Sequence, residues 1–137
     1  MSTPPFDLAG IDHVVLLVRG MSRARAFYET VLGCSLQTDL PQYGMAQMRA
    51  GESLIDLVDI DADEGAWARP PVKGGRNVDH VAIAIGDCDL DALKTHLAAN
   101  RVAIEEEGVR GGARGDSWSV YFRDPDANLI ELSLPPA

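Results

Sequence analysis

Two histidines and two carboxylates occupy matching places in this sequence. Ile11-Asp12-His13-Val14-Val15-Leu16-Leu17-Val18 is echoed by Val78-Asp79-His80-Val81-Ala82-Ile83-Ala84-Ile85, with histidine third in each run. Ser53-Leu54-Ile55-Asp56-Leu57-Val58 is echoed by Asn128-Leu129-Ile130-Glu131-Leu132-Ser133, with the acid fourth. A lone histidine in a β-branched run is ordinarily a satisfied core or surface group. A doubled one, with an acid in register each time, points to a site. Imidazole nitrogens and carboxylate oxygens are good ligands for Zn, Ni, Co, Fe or Mn, and no thiolate is needed. Two histidines with one carboxylate also match the open-faced triad of non-heme iron. His13, His80 and Glu131, with Asp56 as a fourth ligand, are therefore expected to hold a divalent metal ion. Four protein ligands on an octahedral ion leave two adjacent positions for a substrate with neighbouring oxygens. The other outcome is a His–Asp and a His–Glu hydrogen bond with no metal.

The elements that must carry these residues follow from the local patterns. Both histidine runs and both acid runs are rich in β-branched residues and of strand length. Alternation puts His13 on one face with Ile11, Val15 and Leu17, and His80 with Val78, Ala82 and Ala84. Asp56 shares a face with Leu54 and Val58, Glu131 with Leu129 and Ser133, so each acid has apolar neighbours that make a lone charge costly. Nine residues after each histidine stands a helix-start residue, Ser22 or Asp89. The first helix shows Ala24, Phe27, Tyr28, Val31 and Leu32 on one face, and the second Leu90, Leu93, Leu97 and Ala98. Gly33 and Asn100 follow as residues that tolerate the left-handed helix-ending conformation. Weaker strands are expected over 35–39 and 44–49, then over 102–106 and 117–123, with Asp124 to Asn128 as a turn. Each half is strand, helix, three strands. The predicted fold is α+β, a single domain over 1–137 with modules of about 10–59 and 77–134 and a Pro- and Gly-rich linker over about 60–76.

Composition narrows the function. The 137 residues are 46% hydrophobic and carry a net charge of −9, with the basic residues scattered. Nucleic acid and anionic membrane both require a basic patch, so neither is an expected partner. The longest apolar run, 14–18, is too short to span a bilayer. The first ten residues lack the basic start and apolar stretch of a signal peptide, and a cytoplasmic location is the expectation. Cys34 and Cys88, far apart and outside any CxxC pattern, are expected as free thiols.

Val120-Tyr121-Phe122-Arg123-Asp124-Pro125-Asp126, followed by Leu129-Ile130-Glu131-Leu132, joins the paired Asp-His-Val strands in resembling the vicinal oxygen chelate superfamily. That group includes glyoxalase I, extradiol dioxygenases, methylmalonyl-CoA epimerase, fosfomycin-resistance thiol transferases and bleomycin-binding proteins. The resemblance runs from about Gly10 to Leu134. It implies two βαβββ modules forming half-open β-barrel cups, the glyoxalase-like fold, around a metal. His13 and His80 fall at the first-strand ligand positions of the two modules, and Glu131 at the last-strand carboxylate. Asp56 falls where glyoxalase I has a glutamate and the epimerase a glutamine. One methylene shorter, it can ligate directly, bind through water, or act as a base beside the metal. Short-chain members often build each cup from one module of each of two subunits, which implies a homodimer.

The reaction this resemblance implies is a glyoxalase-like lyase or isomerase reaction on a small metal-chelating substrate, with Glu131 or Asp56 moving a proton. The alternatives are an extradiol-type dioxygenase, a fosfomycin-type thiol transferase and a non-catalytic binder. Tyr121, Ser119 and Arg123 share a strand face and are expected to line the cup against substrate. Gln47 and Arg49 are expected at the rim or in solvent, and His96 in solvent. Trp67 and Trp118 are candidates for the cavity mouth or a dimer contact, with core packing equally open to Trp118. The glycine-rich stretch 108–115 is expected as a loop able to act as a lid.

Overall fold

Leu16 and Val18 point into the core from β1 (His13–Val18), while His13 and Val15 stay exposed on the opposite face, the two-residue alternation of a half-buried strand. The computed structural model describes residues 11–68 and 78–136. After β1 come α1 (Met21–Thr30), β2 (Ser35–Leu40), β3 (Met45–Ala50) and β4 (Ser53–Asp59). The second half repeats the series as β5 (Val81–Ala84), α2 (Leu90–Ala99), β6 (Glu106–Arg110), β7 (Ser117–Arg123) and β8 (Leu129–Ser133). The expected α+β order of strand, helix and three strands thus appears twice. The first sheet runs β1-β4-β3-β2 and the second β5-β8-β7-β6. In each, the histidine strand lies parallel beside the acid strand and the other pairs are antiparallel. Neither sheet closes on itself, so both remain open cups.

Two apolar cores lie behind these faces. Tyr28, Met48, Ile55 and Leu57 fill the first, and Leu93, Leu97, Phe122 and Ile130 the second. Phe27, Leu32 and Ile83 touch both, so α1 and β5 join the modules. Of the expected helix faces, only Ala98 turns out to be exposed.

Helix boundaries differ from the expected ones for identifiable reasons. Helix α1 begins at Met21, before Ser22, because its cap comes from elsewhere in the chain. The Asp59 carboxylate at the end of β4 accepts the Gly20 and Met21 N–H groups at 3.2 and 3.1 Å. Asp89 does cap α2, accepting the Asp91 N–H at 3.3 Å. Gly33 takes the left-handed conformation (φ 73°), and the Cys34 N–H reaches back to the Tyr28 carbonyl at 2.9 Å. At the end of α2 that conformation falls on Arg101 (φ 60°), not on Asn100 (φ −97°). The Asn100 side chain bonds the His96 carbonyl instead, and the Val102 N–H closes onto Leu97.

The strand expected over 102–106 begins at Glu106 and runs to Arg110, so residues 108–110 are sheet and not loop. The remaining loop is anchored by Arg114, whose guanidinium donates to the carbonyls of Ile85, Ser133 and Leu134. Both cysteines are free, Cys34 buried and Cys88 exposed. No helix is long and apolar enough to cross a membrane among the described residues. The first ten residues and residues 69–76 of the expected linker lie outside the described residues.

Candidate metal centre

Asp56 sits mid-strand in β4, flanked in register by Val15 of β1 and Gln47 of β3. This central place buries it to 2% exposure. Gln47 Nε2 donates to Asp56 Oδ2 at 3.4 Å, and Oδ1 is buried with no hydrogen-bond partner. His13 projects from the same face of the neighbouring strand, its Nε2 4.0 Å from Asp56 Oδ2. That is too far for a hydrogen bond. The other ring nitrogen, Nδ1, lies 2.7 Å from the Asp12 carboxylate. The Asp12 contact, and then the charge of Asp56, raise the His13 imidazole above its ordinary pKa.

The second module repeats the arrangement more tightly. Glu131 is central in β8, flanked by Ala82 of β5 and Tyr121 of β7. Ser119 Oγ, fully buried, donates to Glu131 Oε2 at 2.8 Å. His80 Nε2 lies 3.0 Å from Oε1, and His80 Nδ1 lies 2.8 Å from the Asp79 carboxylate. The Tyr121 ring meets the His80 ring edge-on at 5.5 Å. Burial, and then Glu131 beside it, push the Tyr121 phenol above its ordinary pKa, so it stays a proton donor at neutral pH.

Each imidazole therefore lies between two carboxylates. A neutral imidazole has one N–H. With that proton on Nδ1 facing Asp12 or Asp79, the Nε2 lone pair faces Asp56 or Glu131, and lone pairs facing one another need a cation between them. A metal ion satisfies this as well as a proton does. Metal bonds of about 2.1 Å at right angles set donor atoms about 3 Å apart, which is the His80–Glu131 spacing. The unpartnered Asp56 Oδ1 is a further donor with nothing to bind. The donor set fits a divalent ion.

The chain does not bring all four donors together. Among the described residues, no three His, Cys, Asp or Glu side chains group closely enough to hold an ion. The quartet divides into a His13–Asp56 pair on one sheet and a His80–Glu131 pair on the other.

Asp12 and Asp79 carry a consequence of their own. A carboxylate on Nδ1 fixes the tautomer and aims Nε2 at the metal position. Asp79→Asn is expected to weaken metal affinity about 10- to 100-fold while leaving the urea midpoint nearly unchanged, because Asp79 is exposed. Competition against a fluorescent chelator measures this, and unchanged affinity would count against the positioning role.

The other expected site residues distribute unevenly. Ser119 and Tyr121 contact Glu131 directly. Arg123 is engaged at the sheet end, with Nε 3.1 Å from Glu105 and Nη1 donating to the Ala127 carbonyl. Gln47, placed at the rim by sequence, touches Asp56, so it is the first-module counterpart of Tyr121. Its register opposite the acid was the available signal. Arg49 is held by Gln37. His96 bonds the Val31 carbonyl at 2.8 Å, tying α2 to the end of α1 rather than to solvent alone. Trp67 is more than half exposed, and Trp118 is partly exposed on the face away from Ser119.

Comparison with known proteins bears on the family and the fold. Residues 10–132 match the model of the Glyoxalase/Bleomycin resistance protein/Dioxygenase superfamily. The chain is 32% identical over 124 residues to virulence protein STM3117 of Salmonella typhimurium, covering 90% of this chain and 82% of that one. It superposes on a lactoylglutathione lyase from Agrobacterium tumefaciens with a TM-score of 0.67 at 26% identity, over 93% of this chain and 95% of the other. The fold also matches the fosfomycin resistance protein FosX of Listeria monocytogenes, solved with Mn(II) and 1S,2S-dihydroxypropylphosphonic acid. There the TM-score is 0.68 at 19% identity, covering 95% of this chain and 93% of that one. With nearly its whole length matched and the doubled histidine–acid strands in place, the chain belongs to the Glyoxalase/Bleomycin resistance protein/Dioxygenase superfamily.

Proposed function

We propose that this chain is a divalent-metal-dependent lyase or isomerase of the glyoxalase kind, acting on a small substrate that chelates the ion through adjacent oxygens. In this reading the protein is a homodimer, and each site joins His13 and Asp56 of one copy to the partner subunit's His80 and Glu131. The observation that carries it is the pair of half-sites, each a histidine held between two carboxylates and each short of a full ligand set. A bound divalent ion would act as a Lewis acid, withdrawing charge from the substrate oxygens.

The chain's own residues supply the rest. Glu131, fixed by Ser119, is an acceptor with little freedom. Asp56, with Oδ1 unpaired, is the better placed of the two to take a proton from substrate. Tyr121, held as a phenol on the strand beside Glu131, donates a hydrogen bond to the substrate from that same wall. The buried sheet residues behind both acids keep water from competing for them.

Elemental analysis of the purified chain tests the reading. About one equivalent of Zn, Ni, Co or Mn per chain is expected, and Glu131→Ala is expected to lose it, since removing one of four ligands costs far more than the 10- to 100-fold of an outer-shell change. Wild-type protein that neither contains nor takes up any of these ions would overturn it, leaving a metal-free binding module. The 4.0 Å gap between His13 and Asp56, against 3.0 Å in the other pair, favours one further reading. Only His13, His80 and Glu131 would then ligate, as the iron triad of an extradiol-type dioxygenase. Oxygen-labile Fe(II) in the purified protein is its signature.

A further inference from the structure

Strand β6 is the edge strand of the second sheet, paired antiparallel with β7. Register pairs Glu106 with Tyr121, Gly108 with Ser119 and Arg110 with Ser117, so alternate β6 residues face the same side as the Glu131 contacts. Arg110 does not extend away from the strand. Its guanidinium folds back over Gly108 and lies 5.6 Å from the centre of the Tyr121 ring. A Cβ on Gly108 would stand 2.5 Å from Arg110 Nη1. The missing side chain is thus the notch in which the guanidinium rests. Tyr121 is paired in register with Glu131, so the ring under the guanidinium stands beside the acid of the second pair and brings this cation next to it.

The other arginines near the cups are committed elsewhere: Arg49 to Gln37, Arg114 to three carbonyls, and Arg123 to Glu105 and a carbonyl. Arg110 is held differently. Nη1 donates to the Val109 carbonyl at 2.9 Å, and Nη2 donates to Glu106 Oε1 at 2.8 Å. Glu106 is 64% exposed, so this pair is solvent-screened and easily exchanged. A carboxylate is already seated on the guanidinium, and an incoming oxyanion can take its place. Arginine suits that role because its fork matches carboxylate and phosphonate oxygens and its charge is permanent.

We propose that the Gly108 notch and Arg110 form the substrate-anion subsite of this cup, selecting substrates that carry a carboxylate or phosphonate group in addition to the oxygens that chelate. The proposal rests on the metal-dependent reading for what happens to the substrate, but the anion subsite is testable apart from it. Arg110 is a specificity residue here, and Gly108 acts only by leaving it room.

The test is a titration of the full-length 15N-labelled chain with acetate and, separately, methylphosphonate, with and without one equivalent of Zn(II), using chloride as the ionic-strength control. Saturable shifts are expected in the amides of residues 108–110 and 117–121 and in the Arg110 Nε–H, with the preferred anion class showing the tighter curve. R110Q is expected to weaken the binding about 10- to 100-fold, the usual value of a charged hydrogen bond. G108A keeps the charge but displaces it. Only the mobile end of a side chain is in its way, so it is expected to fold normally and weaken binding at least threefold. Shifts confined to other surfaces, or equal affinity in wild type and R110Q, would overturn the proposal. Because the metal-free arm stands alone, a flat anion titration leaves the elemental analysis untouched. Absent metal, in turn, leaves the anion result readable.

Discussion

A one-to-one mixture of two inactive chains is expected to recover about a quarter of the wild-type metal sites, the fraction that follows from random pairing in a twofold dimer. One chain carries His13→Ala and Asp56→Ala, the other His80→Ala and Glu131→Ala. Each alone lacks half of every site and is expected to bind no ion tightly. After mixing through a denatured state, half of the dimers are mixed. In each mixed dimer, one site receives both intact pairs and the other receives both damaged ones. Recovery near that fraction, measured by ion content and by chelator competition, supports a site shared between copies. No recovery on mixing, with both variants folded and dimeric, would rule the shared site out. The argument rests on the two pairs lying apart within the chain, where no three of these donors meet among the described residues.

The fold was largely legible in the sequence because the signals are local and repeated. His13 and His80, Asp56 and Glu131, and the apolar faces of α1 and α2 each appear twice in the same order. Alternation alone put both histidines on the face that proves exposed and both acids in mid-strand. What escaped was everything set by contacts across the chain. The α1 boundary depends on Asp59, thirty-eight residues from the N–H it caps. The left-handed turn after α2 falls on Arg101 because hydrogen-bond closure there outweighs residue preference. Strand β6 starts late because its partner is Tyr121, and register is a pairing property that no single run reveals. Gln47 and Arg110 entered the site the same way, one by register and the other by folding back over a glycine. Asp12 and Asp79 were in plain view beside the histidines, yet only the ring geometry shows what they do.

The same distinction locates the largest expected stability effect, Asp124→Ala at about 3–5 kcal/mol, the combined cost of several buried donors left unpaired at about 1–3 kcal/mol each. Asp124 is 4% exposed and opens the turn before β8. Its Oδ2 accepts the Tyr28 hydroxyl at 2.9 Å and Asn128 Nδ2 at 2.8 Å, and its Oδ1 accepts the N–H groups of Asp126 and Asn128. Tyr28 belongs to α1, so this carboxylate fastens the second module to the first. Asn128 Nδ2 also reaches the Leu17 carbonyl, and Asp126 holds the Arg19 N–H and the Arg23 guanidinium. Alanine would leave several buried donors unpaired at once. Tyr28→Phe removes one partner only and is expected to cost about 1–3 kcal/mol. The double variant should cost less than the sum, because both act on one bond.

Burial, and next the Asp124 charge, push the Tyr28 phenol far above its ordinary pKa of 10.0. The folded state therefore resists ionisation that the unfolded chain accepts. This contribution is fully present below pH 10 and is lost as pH rises above it. Wild type should lose stability above pH 10 more steeply than Tyr28→Phe. Urea unfolding at pH 7 and pH 10.5 measures both effects. An Asp124→Ala chain within about 1 kcal/mol of wild type, the centre of the range for ordinary point mutants, would show that the turn does not clasp the modules.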